Sequence, residues 1–185
     1  IHHYSVEADF EVDNISTGVI FAANEDQSHY YMWQINFETG YARLRPHVYR
    51  GDQQFATCLE EIDLRPLIDL QLHQTYHLRI EVDGQTAYTY IDDVLVDTRT
   101  NPDGGNYGYG NIGVWEYGSE RAYFDNIVVT DLGGETPETL ISEDFSDSSN
   151  PFTSGTITEG RLLVNTASWY KAESGDEDTD ITRYT

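Results

Sequence analysis

Hydrophobic and polar side chains alternate with a period of two along His29 to Arg50 (HYYMWQINFETGYARLRPHVYR), with a break at Thr39-Gly40. This pattern predicts two strands joined by a tight hairpin turn. One face of the hairpin is apolar and the other is polar. A slip by one residue would mix the two sets, so burial of the apolar face selects the register. The predicted apolar face is Tyr31, Trp33, Ile35, Phe37, Ala42, Leu44, Pro46 and Val48.

Similar alternation recurs along most of the chain. Asp83-Gly84 is a strong hairpin turn, and the segment 101–110 (NPDGGNYGYG) is a loop. No segment keeps a helical period over three turns, and about ten short strands with regular turn signals predict an all-β sandwich or barrel. The clearest further strands are Tyr4 to Asp13, Gly18 to Ala23, Tyr76 to Val82, Thr86 to Ile91, Val94 to Thr98, Asn111 to Tyr117 and Arg121 to Thr130.

Composition narrows the range of partners. The chain has 185 residues, of which 13% are aromatic, and its formal net charge is −23. Such a charge argues against nucleic acid and anionic membranes, which need a basic surface. No apolar run approaches the ~20 residues of a membrane span, so no membrane insertion is expected. Because Cys58 is the single cysteine, an internal disulfide is impossible.

Four segments in order resemble the concanavalin A-like, laminin-G-like jelly-roll modules. They are YSVEADFEVD, SHYYMWQINFETGYARLRPH, TYHLRIEVDGQTAYTYIDDVLVD and GNIGVWEYGSERAYFDNIVVTD. The version attached to bacterial α-L-rhamnosidases and related polysaccharide-degrading enzymes is the most similar. The resemblance covers roughly residues 4 to 165. It implies two antiparallel sheets in a secreted or periplasmic bacterial protein, with a non-catalytic role beside the catalytic domain of the same polypeptide.

The C-terminal segment departs from the family's usual order. In such modules a strand pair of the type EDF…F…G.L.V opens the domain, whereas here Ser142 to Phe145 and Gly155 to Val164 come last. We therefore expect one jelly-roll module over 1–170, in which strands within 139–165 close the sheets as in a circular permutation. The acidic segment 171–185 would then be a tail or a linker. The alternative is that 139–165 begins a second module.

The polar face of the central hairpin is the best candidate binding surface. Amide and guanidinium groups hydrogen-bond sugar hydroxyls, and arginine also pairs with uronate carboxylates. Aromatic rings, including Tyr30, offer stacking surfaces for pyranose rings. The alternative is a solvated sheet face whose arginines pair with surplus carboxylates. The predicted carbohydrate-binding residues are Gln34, Asn36, Arg43, Arg45, His47, Tyr49 and Trp115.

The resemblance also implies one structural calcium ion (Ca2+). Asp125, in YFDNIVV, stands where such modules often have a ligand, and Asp144 or Glu143 is its candidate partner. Calcium takes six to eight oxygen ligands, including backbone carbonyls that a sequence pattern does not identify. Alternatively, Asp125 satisfies nearby backbone amides.

The sequence contains no intact motif of a catalytic site. Glu61-Ile62-Asp63-Leu64 resembles the E-x-D-x-x-E strand of laminarinase-type hydrolases, in which paired carboxylates cleave the glycosidic bond. Here Pro66 replaces the third carboxylate, so the motif is broken and no catalytic residue is predicted. The expected function is non-covalent binding of a plant-type polysaccharide or oligosaccharide, with rhamnose or uronate as candidate components. The alternatives are a purely structural module packed on a catalytic domain, and a hydrolase of the keto-glycoside type.

Overall fold

The computed structural model of the chain describes residues 1–51 and 56–171, and every regular element within them is a β-strand. Within these ranges there is no helical segment with the length and hydropathy of a membrane span. In chain order the strands are β1 His3–Asn14, β2 Ser16–Ala23, β3 His29–Asn36, β4 Arg43–Arg50, β5 Thr57–Cys58, β6 Ile62–Asp63, β7 Thr75–Asp83, β8 Thr86–Ile91, β9 Val94–Thr100, β10 Asn111–Trp115, β11 Arg121–Asp131, β12 Glu138–Glu143, β13 Thr156–Thr158, β14 Arg161–Val164 and β15 Ser168–Trp169.

The first sheet is built around β1. Its strand order is β13-β14-β11-β1-β7-β8-β9, and β12 also pairs with β11. All of these pairs are antiparallel. The alternation of β1 is realised as predicted, because one set of its side chains is buried in the core. This set is Tyr4, Val6, Ala8, Phe10 and Val12.

The second sheet contains the central hairpin, with the order β15-β10-β2-β3-β4-β5 and with β6 also paired to β4. The predicted register is confirmed, since Gln34 lies opposite Arg45 and Asn36 lies opposite Arg43. The regular strands end earlier than predicted and leave six residues between Asn36 and Arg43. The turn is closed by the Gly40 N–H, which donates to the Phe37 carbonyl at 2.8 Å.

One hydrophobic core lies between the two sheets, and together they form an all-β jelly-roll sandwich. Trp33 is completely buried at its centre, with its ring edge-on to Phe21 at a centroid distance of 4.9 Å. Tyr31 and Tyr107 pack beside this pair and extend the aromatic part of the core. Ile35, Leu44 and Val48 of the hairpin face the same core, as predicted.

The C-terminal strands join both sheets. On one edge of β11, residues 127–131 pair with β12 and residues 122–124 pair with β14. β15 pairs with β10 in the second sheet. The intervening segment contributes Phe145, Phe152, Leu162 and Val164 to the core.

One segment differs from the pattern in the sequence, and the loop that follows it does not. The loose alternation over Thr57 to Arg65 predicts one strand. Instead two short strands form, β5 and β6, and each pairs with a different part of β4. The segment 64–73 is an irregular loop held by backbone hydrogen bonds, including Leu64 N–H to the Ala42 carbonyl at 3.2 Å. Most of the predicted acidic tail, residues 172–185, lies outside the described residues.

Candidate functional site

The predicted binding residues lie together on the outer face of the second sheet, the face turned away from the core. Outward-pointing positions of β3 and β4 alternate with core positions, and β10 adds Trp115 beside β2. The alternative of a solvated face whose arginines pair with carboxylates holds in part, because Arg43 and Arg45 do pair with Glu61, but several polar side chains of this face are buried. Gln34, Asn36 and His47 are only 4%, 1% and 8% exposed. Neighbouring side chains on the same face contact these groups and exclude water from them.

Polar side chains form a hydrogen-bonded group across this face, which we call the polar row. Glu61 accepts from both arginines of β4, at 2.5 Å from Arg43 Nη1 and 2.8 Å from Arg45 Nε. Burial raises the pKa of Glu61, but its hydrogen bond to Arg45 and the charges of both arginines outweigh that effect and lower it overall. Glu61 is therefore ionised at neutral pH. The polar row comprises Gln34, Asn36, Arg43, Arg45, Glu61 and Glu120.

The buried amides hold the arginines in place. Arg43 Nη2 donates to Asn36 Oδ1 and Arg45 Nη1 donates to Gln34 Oε1, each at 3.2 Å. The Gln34 amide also donates to Glu120 Oε1 at 3.3 Å. Guanidinium orientation is thereby fixed before a ligand arrives, which lowers the entropy cost of binding. The sequence pattern places Gln34 and Asn36 here, but it does not identify Glu61 and Glu120 as their neighbours.

Aromatic side chains occupy the other half of the face, and we call Tyr49, Trp115 and Trp169 the aromatic platform. The three are partly exposed and pack on a small outer apolar cluster that includes Tyr30 and Met32. Tyr30 stacks on Tyr49 with centroids 4.9 Å apart and meets Trp169 edge-on at 5.4 Å. Sequence reasoning missed Trp169, because the two-residue strand β15 that carries it gives no signal in the sequence pattern.

Two glycines allow the platform to lie against the backbone. A Cβ on Gly18 would lie 3.1 Å from the Met32 sulfur and 3.2 Å from the Trp115 Cβ. A Cβ on Gly113 would lie 3.2 Å from the Trp169 ring. These contacts are tighter than ordinary van der Waals contacts, so a larger residue at either position would push the aromatic side chains outward.

The platform adjoins the polar row directly. Met32 and Gln34 are successive outward positions on β3, and such positions are about 7 Å apart along a strand. A ligand of the size of one or two sugar residues can therefore touch both. Its apolar face would pack on aromatic rings while its hydroxyls meet oriented donors and acceptors, the combination typical of small-molecule sites.

His47 and Cys58 lie opposite each other beside the polar row. Burial lowers the pKa of His47 to about 4, so the ring is neutral above that pH. Its Nδ1 donates to the Arg45 carbonyl at 2.8 Å and thereby supports the strand that carries Arg45. Burial also raises the pKa of the Cys58 thiol. The thiol is therefore protonated at neutral pH, and a protonated thiol is a poor nucleophile.

The predicted calcium ligands are both occupied by local backbone amides. Asp125 Oδ1 accepts from the Asn126 N–H at 2.8 Å, and Asp144 Oδ1 accepts from the Ser146 N–H at 3.0 Å. Within residues 1–51 and 56–171, no group of three or more His, Cys, Asp or Glu side chains is arranged to hold a metal ion. The calcium site stays a prediction.

The broken hydrolase motif is engaged in ion pairs. Glu61 is held by Arg43 and Arg45, and Asp63 is held by Arg65 through Nε at 3.0 Å and Nη2 at 2.5 Å. The hydrogen bond from Arg65 lowers the pKa of Asp63. Glycoside hydrolysis requires one protonated carboxyl as general acid, and neither member of this pair supplies it at neutral pH.

No protein-family model matches the chain, and no curated protein matches it in sequence. Among the solved structures, the fold is similar to that of the carbohydrate-binding module CBM66 from Bacillus subtilis. The two share 17% sequence identity with a TM-score of 0.55, and the match covers 70% of this chain and 75% of that one. At this identity the likeness shows the fold, an antiparallel β-sandwich.

Proposed function

We propose that this chain is a non-catalytic carbohydrate-binding module and that its ligand lies across the aromatic platform and the polar row. The observation that carries the proposal is the placement of partly exposed Tyr49, Trp115 and Trp169 beside oriented arginines on one sheet face. The likeness to a carbohydrate-binding module of the same fold supports it.

The ligand in this proposal is a plant-type polysaccharide or oligosaccharide. A uronate carboxylate would compete with Glu61 for the forks of Arg43 and Arg45, which already bind a carboxylate in this geometry. Rhamnose would instead place its methyl group and C–H face on the platform. Comparing a uronate-containing and a rhamnose-containing oligosaccharide separates the two possibilities.

We further propose that the module belongs to a bacterial polysaccharide-degrading enzyme and acts in the periplasm or outside the cell, where such substrates occur. The catalytic domain would be elsewhere in the same polypeptide. A net charge of −23 disfavours nucleic acid as a competing partner. Calcium, if bound at Asp125 and Asp144, would have a structural role.

A second candidate function is a structural module whose outer face packs on the neighbouring catalytic domain. The specific observation in its favour is that Gln34, Asn36 and Met32 are buried next to partly exposed aromatic rings. Aromatic residues and arginine are enriched at the centre of protein interfaces. In that case the isolated chain binds no glycan.

A glycan-binding panel with calcium and again after chelation tests the proposal, and the products are examined for cleavage. We expect one sugar class to bind without being cleaved. Trp169→Ala should weaken binding by about tenfold, because aromatic packing contributes about 1.4 kcal/mol at such a site. Loss of binding or a lower melting temperature on chelation would support the calcium site.

The matched control is Tyr88→Ala, which removes an aromatic ring from the outward positions of the first sheet. It should leave affinity unchanged. Failure of every glycan to bind would favour the structural module, and released sugar would favour a hydrolase. Unchanged affinity in Trp169→Ala would place the ligand elsewhere.

A further inference from the structure

An open cavity lies at the turn of the central hairpin, between residues 37–42 and the loop 64–72. Its volume of about 420 Å³ falls in the range of about 300–1,000 Å³ that ligand pockets occupy. The part of its lining that bears on recognition comprises the apolar side chains Tyr41, Ile68 and Leu72 and the polar side chains Arg65, Asp69 and Gln71.

The walls of this cavity are already held in position. Leu64 is completely buried, and the Leu67 and Ile68 N–H groups both donate to its carbonyl at 2.9 Å. Further along the loop, the Gln71 N–H donates to the Tyr76 hydroxyl at 2.8 Å. A preformed cavity loses little entropy when a ligand enters it.

The charges at the cavity favour a neutral ligand. Arg65 is paired with Asp63 through two nitrogen atoms, so its charge is largely offset. Asp69 adds a carboxylate to the rim, so the local charge of the cavity is not positive, in contrast to the two arginines around Glu61 in the polar row. The cavity therefore disfavours an anionic ligand. A cationic ligand would bind over an aromatic ring, but the Tyr41 ring is already covered by the Arg65 guanidinium, whose Cζ lies 3.7 Å from the ring centroid.

The polar groups suit hydroxyls on an apolar ring. The Asp69 carboxylate and the Gln71 amide lie side by side, linked by a hydrogen bond of 2.7 Å from Gln71 Nε2. Together they present acceptors at the rim. Arg65, which uses Nε and Nη2 for its pair with Asp63, keeps Nη1 as a donor in the same lining. Leu72, 39% exposed, and Ile68 provide an apolar surface for the C–H face of a ring.

From these observations we infer that the cavity at the hairpin turn is a second binding site, which takes one neutral sugar residue. The choice of a saccharide rests on the proposed function. The site is next to the first, because Arg43 of the polar row lies 5.9 Å from the centroid of the Tyr41 ring that lines the cavity. One glycan can therefore extend from the outer face into the cavity.

The experiment is a nuclear magnetic resonance titration of the full chain with L-rhamnose, D-galactose, D-glucose and D-xylose, and with sodium D-glucuronate as the anionic probe. The reporters are the Gly40 backbone N–H and the Gln71 side-chain amide at the cavity. The indole N–H signals of Trp115 and Trp169 report on the platform, and that of the buried Trp33 serves as an internal control.

We expect at least one neutral sugar to shift the cavity signals to saturation, with glucuronate binding at least about tenfold more weakly. Leu72→Trp fills the cavity and should weaken this binding by at least about tenfold. Leu67→Trp is the matched control, since Leu67 is an exposed leucine of the same loop outside the lining.

Three results would overturn the inference: no neutral sugar shifts the cavity signals, glucuronate binds as tightly, or Leu72→Trp binds as well as Leu67→Trp. A failure of the proposed function itself would give a different result in the same titration. The indole signals of Trp115 and Trp169 would then stay unchanged with every glycan, whether or not the cavity signals move.

Discussion

At the scale of single residues, Glu116 is the most unusual side chain in the core. It is 1% exposed, and among the described residues the buried Thr17 hydroxyl is the one group beside it that favours its charged form. Burial, with a smaller contribution from the charge of Glu120, raises the pKa of Glu116 to about 9. The carboxyl is therefore neutral in the folded protein at pH 7. In the unfolded chain it ionises near its ordinary pKa of 4.5.

This difference predicts that stability falls as pH rises. Below pH 4.5 the carboxyl is protonated in both states, so it has no effect on the pH dependence. Between pH 4.5 and about 9, folding takes up a proton, and the free energy of unfolding decreases by up to about 1.4 kcal/mol per pH unit. Glu116→Gln removes this loss, so the variant should gain about 3 kcal/mol over the wild type at pH 7.

Urea denaturation at several pH values measures the gain, and the two proteins should unfold alike near pH 4. Glu135→Gln, at an exposed position, is the control and should follow the wild type at every pH. A constant difference between Glu116→Gln and the wild type would show that the carboxyl does not change its ionisation on folding.

At the scale of secondary-structure elements, the short strand β15 depends on a close approach to β10. Gly113 lies opposite Trp169, and a Cβ there would lie 2.8 Å from the Ser168 carbonyl oxygen. Because that atom belongs to the backbone, the whole strand would have to move. The same strand carries Trp169 of the aromatic platform, so its position links local packing to the proposed binding face.

Gly113→Ala should therefore lower the free energy of unfolding by about 1–3 kcal/mol and weaken glycan binding. Gly133→Ala is the control, since its nearest neighbour is a side-chain oxygen, Asp131 Oδ1 at 3.2 Å, which needs to shift only a few tenths of an ångström while it keeps its hydrogen bond from the Gly133 N–H. It should change stability by less than about 0.5 kcal/mol. Thermal unfolding and titration with the bound glycan measure both effects. Equal changes in stability and affinity for the two variants would show that β15 moves without a loss of stability.

The central hairpin shows what alternation can predict at this scale. Its register follows from the two sets of side chains, because only one pairing buries all the apolar ones. Alternation does not predict the short strands β5 and β6. Each has two residues, and each forms only because an edge of β4 is available to it.

At the scale of the whole molecule, the last strands complete the sheets that the first strands begin. A chain ending at Asp131 would lose Phe145, Phe152, Leu162 and Val164 from the core. Each such side chain contributes about 1.5–3 kcal/mol when buried. Together they approach the total stability of a typical domain, about 5–15 kcal/mol.

We expect the chain ending at Asp131 to show no cooperative unfolding transition in urea. A chain ending at Lys171 retains every described strand and is the matched control, with an unfolding midpoint close to that of the full chain. If the shorter chain melts as stably as the control, then 132–171 is not needed to close the sandwich.

The sequence by itself determined the fold class, the longer strands and the identity of their faces. These depend on a period of two and on local turn residues, which are visible along the chain. The same alternation, continued one residue past β10, places Glu116 on the core side after Ile112 and Val114. It also brought all seven predicted binding residues onto one side of the second sheet.

Only the tertiary structure decided which of those residues meet solvent. Exposure depends on side chains that arrive from distant parts of the chain. Glu61 comes from the segment between β5 and β6, Glu120 from the turn before β11, and Trp169 from the last strand. The cavity at the hairpin turn likewise needs two loops that meet only after both sheets have formed. Such pairings are non-local, so no pattern of neighbouring residues encodes them.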